Sequence, residues 1–194
     1  VYEAVRIQLD VWLGKARIPI QVDIGFGDAV SPRPETVLFP GTLDFPAARL
    51  KAYPKEAAIA EKFHAMAILG IRNSRMKDFY DVWTLAKRFE FDGATLAKAL
   101  EATFKRRQTP LPSQPPLALT AAFSEDKAKA TQWAAFLKKG KLQEDGAPSL
   151  KDVASPLHAF LMPPVAALVD GEPFRWIWCL AARRILATGE TLKQ

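Results

Sequence analysis

Hydrophobic and polar residues alternate along the first 26 positions of the chain. Apolar residues occupy every second position from Val5 to Leu13, and again from Ile18 to Phe26. The short segment Gly14-Lys15-Ala16-Arg17 separates the two series, which suits a tight connection between antiparallel strands. The pattern therefore predicts a β-hairpin, with Pro19 near a strand start or an edge because proline has no backbone N–H donor.

After the hairpin the pattern changes twice. Frequent prolines and glycines between residues 27 and 54 argue against long regular elements and predict an ordered surface loop. From Pro54 to Gly70 the apolar residues recur at helical spacing, so we expect a helix that starts near Pro54 and stops at Gly70. A second helix is expected after Ser74, its predicted N-cap, and a third begins near Asp92.

The third helix ends in Lys105-Arg106-Arg107. Basic residues there complement the helix dipole, and they are also suited to an RNA contact. The four prolines between residues 109 and 116 then predict an extended connector and the best internal boundary. Beyond it we expect a helix capped by Ser124 and running to about Lys139.

Two further helices are expected at the carboxyl end. One runs from Ser149 to Leu168, bent by Pro156 and interrupted at Pro163-Pro164. The other spans the Trp-rich residues 174 to 186, where apolar residues fall at helical spacing; it is either a core helix or a partner-docking helix.

These elements predict an α+β fold, with part of a sheet followed by a larger helical region. We divide the chain into a sheet and loop at residues 1–53, a helical region at 54–109 and a carboxyl-terminal helical region at 117–194. A length of 194 residues is enough for one good core.

Composition narrows the setting. No run approaches the roughly 18 apolar residues of a membrane helix, so no membrane partner is expected. The single cysteine, Cys179, cannot form an internal disulfide and favours a reducing, cytoplasmic location. The net charge of +6 suits a polyanionic partner and, equally, a solvated basic surface.

Asp23 is the first candidate for chemistry. It lies at the end of the second strand, on the face opposite the apolar series, beside Gly25 and Gly27. A carboxylate at a strand end is a common ligand for a divalent metal, although an exposed strand-face aspartate is more frequent. Asp10, on the same face of the first strand, is expected to face solvent.

Two groups of charged residues occupy the first two helices. Lys62 borders the apolar stripe, where it either extends to water or reaches a cleft and neutralises phosphate oxygens. Its neighbour Glu61 is expected to face outward, and His64 to be structural. Arg75, Asp78 and Asp81 recur at a spacing of three on the second helix, which is compatible with surface ion pairs and with a functional site.

Three sequence blocks together resemble the AbiEii/AbiGii-type nucleotidyltransferase toxins of type IV toxin–antitoxin and phage abortive-infection systems. The blocks are Gln21–Asp28, Ala60–Ala65 and Asn73–Asp81, in the order and approximate spacing of that family. The resemblance covers about residues 1 to 90, and the later helices fit it loosely.

The resemblance implies transfer of a nucleotide from a nucleoside triphosphate to an acceptor, with Mg²⁺ or Mn²⁺ as cofactor, and tRNA and a cognate antitoxin as partners. It implies that Asp23 is a metal ligand and that Lys62 and Asp78 are catalytic. It also makes Lys62, Arg75 and Ser74 candidates for nucleotide binding, with Asp81 beside them. We therefore expect Asp23, Lys62 and Asp78 to converge on one cavity.

One motif of the family has no counterpart. Nothing in residues 1 to 22 matches the family's Gly-Ser pair followed by an Asp-x-Asp strand. Either the chain is part of a longer protein, which is the interpretation we favour, or it descends from the family without the catalytic core. In both cases we expect it to be inactive, or nearly so, by itself. The alternative is a non-catalytic helical module that binds RNA or an antitoxin.

Overall fold

An amino-terminal hairpin opens the computed structural model, which describes residues 4–26, 30–142, 147–179 and 184–187. Strands β1 (Ala4–Leu13) and β2 (Ala16–Gly25) pair antiparallel, with Leu9 opposite Ile20, which confirms the predicted hairpin. Nine aliphatic side chains share one face and keep between 38% and 74% of their surface exposed. Among the described residues no third strand joins this sheet.

A second hairpin follows, in the segment for which a loop was predicted. Strands β3 (Glu35–Phe39) and β4 (Ala48–Ala52) pair antiparallel. The prediction of a surface loop was wrong for these residues, because five-residue strands fit between the prolines and leave Pro40 and Pro46 in the connection. Residues 27–29 lie outside the described part of the chain.

Three helices follow in the predicted order. Helix α1 (Lys55–Leu69) ends at Gly70, whose φ of 52° favours glycine. Helix α2 (Met76–Arg88) is followed by the short strand β5 (Phe91–Asp92). Helix α3 (Gly93–Arg106) begins where Asp92 accepts a hydrogen bond from the Thr95 amide at 2.7 Å, so the start predicted near Asp92 is confirmed.

The amino end of α2 differs from the prediction. Arg75, and not Ser74, occupies the N-cap position, and its side chain makes no capping hydrogen bond. Instead the Oδ1 atom of Asn73 accepts the Arg75 amide at 2.9 Å. This Asx turn bonds the amide of the N-cap residue itself, so it fixes the entry to the helix and does not replace the cap expected from serine.

The next helices are α4 (Ala121–Ser124) and α5 (Lys127–Lys139). Asp126 caps α5 by accepting the Lys129 amide at 3.0 Å, so the predicted cap at Ser124 was wrong. Ser124 is instead the last residue of α4. The predicted end at Lys139 is confirmed.

Helix α6 (Leu150–Asp170) begins at the predicted Ser149, which forms a capping box with Asp152. It runs without a break through Pro163 and Pro164, so the predicted interruption was wrong. The helix is long and apolar enough to cross a membrane by length and composition. Eight of its residues are buried in the protein, however, and this burial explains the apolar sequence as that of a core helix.

The carboxyl end forms strands where a helix was predicted. Strand β6 (Trp176–Cys179) pairs with β5 and with β7 (Arg184–Ala187). The apolar spacing of this segment also suits a buried strand rich in aromatic residues, and pairing with the distant β5 decides between the two. Residues 180–183 and the side chain of Cys179 lie outside the description.

Within the described ranges, one cluster of buried side chains holds the helices together. Helix α1 packs on α3, and α2 packs on α6. The cluster contains residues from both sides of the proline-rich connector, such as Phe63 and Phe104 before it and Phe123 and Phe160 after it. The regular elements agree with the predicted α+β class.

Candidate functional site

A pocket of about 760 Å³ lies between the end of β2 and the helices α1, α2 and α3. Helix α1 lines the pocket with Ala58, Glu61, Lys62 and Ala65. These residues share one side of the helix because they are spaced three and four positions apart. The charged residues that line the pocket are Asp23, Glu61, Lys62, Arg75, Asp78 and Arg107.

Lys62 stands between two carboxylates of α2. Its Nζ atom lies 2.7 Å from Oδ1 of Asp78 and 2.9 Å from Oδ2 of Asp81. Lys77 also reaches Oδ2 of Asp81, at 2.6 Å, and Arg75 lies 3.7 Å from Asp78. The side chain of Lys62 is only 23% exposed, so it does not simply extend to water. Asp78 and Asp81, three positions apart on α2, therefore both contact Lys62 of the neighbouring helix α1.

This cluster shifts the ionisation of its members. Burial alone would lower the pKa of Lys62, but hydrogen bonds to Asp78 and Asp81 outweigh it and raise that pKa above the usual value. Burial likewise raises the pKa of Asp81, and the hydrogen bonds from Lys77 and Lys62 reverse the effect and lower it. Lys62 and Asp81 are thus both held in their charged forms at neutral pH.

Asp23 reaches the pocket from the hairpin. Arg6, directly opposite on β1, donates from Nε to Oδ1 at 2.6 Å and from Nη2 to Oδ2 at 3.2 Å. Gln21 donates to Oδ2 at 2.9 Å. The hydrogen bond from Arg6 lowers the pKa of Asp23, with a smaller contribution from Gln21. Asp10 faces the solvent and pairs with Arg17 at 2.9 Å, away from this pocket.

The structure therefore brings Asp23, Lys62 and Asp78 to one pocket, and Arg75 with them. Ser74 is exposed and does not line the pocket. The roles assigned to these residues stay predictions at this point.

Glu61 and Arg107 form a second ionic contact in the pocket, and the sequence analysis missed it. Nη2 of Arg107 donates to Oε2 of Glu61 at 2.5 Å, which joins the carboxyl end of α3 to α1. Glu61 was expected to face outward, and this was wrong. The basic end of α3 was a signal for Arg107, but only the packing of α3 on α1 selects that residue for the pocket.

His64 lies next to this contact. Its Nε2 atom is 2.9 Å from Oγ1 of Thr109, and its ring packs edge-on against Phe104 with centroids 5.0 Å apart. Burial, and then the charge of Arg107, lower the pKa of His64 below 6.5, although Glu61 opposes this. These contacts support the structural role expected for His64.

The depressed pKa of His64 predicts acid sensitivity. The unfolded chain binds a proton at His64 more readily than the folded chain, so stability is full above pH 6.5 and falls below it. Urea unfolding between pH 7 and pH 5 should show this loss, and His64→Gln should show a smaller one, because glutamine does not titrate and still bonds Thr109. An equal loss in both proteins would contradict the assignment.

The described residues do not by themselves make a metal centre. Within the described ranges, no three His, Cys, Asp or Glu side chains are grouped so that they could hold an ion. Both oxygens of Asp23 are already engaged by Arg6 and Gln21. Asp23, the predicted metal ligand, is thus held by two protein partners in this structure.

Comparison with known proteins gives the family. The family model described as nucleotidyl transferase AbiEii toxin, type IV TA system, matches residues 1–160, which include every charged residue of the pocket. No curated protein and no solved structure matches the chain. A nucleotidyltransferase of this kind implies a nucleoside triphosphate as substrate and an antitoxin as partner. The match confirms the resemblance drawn from the three sequence blocks, and the chain belongs to the AbiEii family of nucleotidyltransferase toxins of type IV toxin–antitoxin systems.

Proposed function

We propose that this protein, in the cytoplasm, transfers a nucleotide from a nucleoside triphosphate to a hydroxyl group of tRNA, with Mg²⁺ or Mn²⁺ as cofactor. The oxygen of the acceptor hydroxyl bonds to the α-phosphorus, the bond between the α- and β-phosphates breaks, and pyrophosphate leaves. The hydroxyl proton is released to solvent or to a carboxylate.

The observation that carries the proposal is the position of Lys62 in the pocket. A lysine held in its charged form by Asp78 and Asp81 is suited to bind the triphosphate and to neutralise the charge that develops on pyrophosphate. Arg75, also in the pocket and 63% exposed in its side chain, adds a second cation for phosphate oxygens. The carboxylates keep the ammonium of Lys62 in place before the substrate binds.

A bound divalent ion would neutralise charge at the transferring phosphate and would activate the acceptor hydroxyl. The residues described here do not complete its site, and residues 1 to 22 contain no Asp-x-Asp strand. We propose that these 194 residues alone are inactive or nearly so, and that activity needs the Gly-Ser and Asp-x-Asp motif in the same protein.

Two measurements test the function. The first is incorporation of labelled nucleotide into total tRNA by these 194 residues and by a longer protein that carries the motif, each of the four ribonucleoside triphosphates being tried in turn. We expect the longer protein to incorporate label, and only when Mg²⁺ or Mn²⁺ is present. The 194 residues should incorporate little or none.

The second measurement is equilibrium binding of the same triphosphates with and without Mg²⁺. Magnesium-dependent binding is expected for an enzyme. RNA binding without any nucleotide binding or transfer would contradict the proposal and favour a non-catalytic module, for which the basic surface is the supporting feature.

A further inference from the structure

Lys129 of α5 is a buried lysine outside the pocket. Only 5% of its surface is exposed, and lysine is rarely buried to this extent without a partner. Its Nζ atom donates to the backbone carbonyl of Asn73 at 2.9 Å and to Oε1 of Gln132 at 3.1 Å. It also lies 5.2 Å from the centre of the Phe123 ring. The lysine thus joins α5 to the segment that precedes α2.

Asn73 passes this contact on to the start of α2. Asn73 is completely buried, and its backbone N–H donates to the backbone carbonyl of Gly70 at 3.1 Å. Its side-chain oxygen accepts the Arg75 amide at 2.9 Å and thereby starts the helix. Lys129 holds the carbonyl of the same residue, so its donor fixes the peptide group on which this turn depends.

The residues that follow Asn73 form one wall of the pocket. Arg75 lines the pocket, Asp78 lines it within the first turn of α2, and Asp81 follows one turn later to hold Lys62. A displacement of the Asn73 turn would therefore move all of these groups together. A shift of about 1 Å in positioned groups can cost a factor of about 100 in rate.

We propose that Lys129 is a positioning residue for the nucleotide pocket. Through its hydrogen bond to Asn73, Lys129 fixes the position at which α2 begins. The start of α2 in turn sets the positions of Arg75 and of the two carboxylates that hold Lys62. The inference rests on the proposed function, because it assigns these groups to nucleotide binding.

A role in packing alone does not account for the choice of lysine. The neighbours of Lys129 on the core side include the aromatic ring of Phe123. An apolar side chain could pack against this ring without the free-energy cost of removing an amine from water. What lysine adds is a long donor that reaches a backbone carbonyl 56 positions earlier in the chain. The predicted consequence of losing it is a change at the pocket, beyond a loss of stability.

The test is a double-mutant cycle between Lys129→Met and Arg75→Ala. Methionine keeps an unbranched side chain that is one heavy atom shorter, and it removes the donor. All variants are made in a protein that carries the Gly-Ser and Asp-x-Asp motif. The readout is the dissociation constant for the magnesium complex of one ribonucleoside triphosphate, the one that the wild-type form of this protein binds most tightly. We expect each single variant to weaken binding about tenfold, the range of one lost charge-assisted hydrogen bond. The double variant should bind clearly less than about 100-fold more weakly than the wild type, because the two losses share the displacement of Arg75.

Two further variants separate positioning from folding. Lys129→Arg restores a donor and should bring the affinity back to within about threefold of the wild type. Leu137→Ala, on the same helix and 6% exposed, should lower the melting temperature and leave the affinity unchanged. If Lys129→Met does not fold, Asn73→Ala replaces it in the cycle, because it removes the acceptor of the Arg75 amide and should give the same non-additive loss.

The outcomes distinguish this inference from the function on which it rests. Additive losses in the cycle, or a loss in Leu137→Ala equal to that in Lys129→Met, would overturn the positioning role and leave the transferase proposal intact. A wild-type protein that contains the missing motif and binds no nucleotide would overturn both.

Discussion

Lys62→Met is expected to reduce nucleotide transfer about 100-fold in a protein that carries the complete set of motifs. Removal of one preorganised donor at a site of developing charge typically has an effect of this size. Lys62 also bridges Asp78 and Asp81, so its loss leaves two partly buried carboxylates on one helix without their shared partner. The measurement is the initial rate of label incorporation into tRNA, together with the dissociation constant of the nucleotide.

Stability has to be followed in the same variant. Because the side chain of Lys62 is only 23% exposed, we expect its loss to cost about 1–2 kcal/mol of unfolding free energy. Lys87→Met is a matched control on α2, since Lys87 lies over the ring of Trp83, outside the pocket. It should retain the wild-type rate. A Lys62→Met protein that is folded and transfers nucleotide at the wild-type rate would refute the role assigned to Lys62.

Asp23→Ala is expected to have the second large effect, a loss of transfer of at least about 100-fold, because in the proposed function this carboxylate binds the ion and a methyl group offers it no oxygen ligand. Asp23 is exposed and paired with Arg6 across the hairpin, so its removal should change the melting temperature little. A loss of activity in a protein of unchanged stability would point to chemistry at this position.

The hairpin supplies a close control for that experiment. Asp10 lies on the same face, is exposed, and pairs with Arg17 as Asp23 pairs with Arg6. It does not line the pocket formed by α1, α2 and α3. Asp10→Ala should therefore transfer nucleotide normally. Equal label incorporation by Asp23→Ala and Asp10→Ala would remove Asp23 from the proposed site.

Local sequence patterns determined much of the fold. Period-two alternation and a short turn predicted the first hairpin, because the side chains of a strand alternate between its faces. Gly70 and Asp92 predicted a helix end and a helix start, since each satisfies a local backbone requirement. These features depend on interactions within a few residues and are therefore visible in the sequence.

Elements that depend on distant partners were predicted less well. The segment Trp176–Cys179 has an apolar pattern that fits either a helix or a strand, and pairing with Phe91–Asp92 made it a strand. Proline-based reasoning likewise missed the hairpin of β3 and β4, whose strands are short enough to avoid the prolines. In both cases the deciding hydrogen bonds join residues that the local pattern does not connect.

The sequence by itself determined the chemical groups of the candidate site. The blocks around Asp23, Lys62 and Asp78 identified the family and the residue types that a triphosphate and a divalent ion require. The resemblance to the family also predicted that these three residues would meet in one cavity.

Only the tertiary structure decided how these groups are held. In the folded chain Glu61 lies in the pocket and forms an ion pair with Arg107, and Lys129 donates a hydrogen bond to the backbone carbonyl of Asn73. The physical reason is that the ends of long charged side chains find their partners after the helices have packed. Partners separated by 46 and 56 positions leave no periodic signal in the sequence.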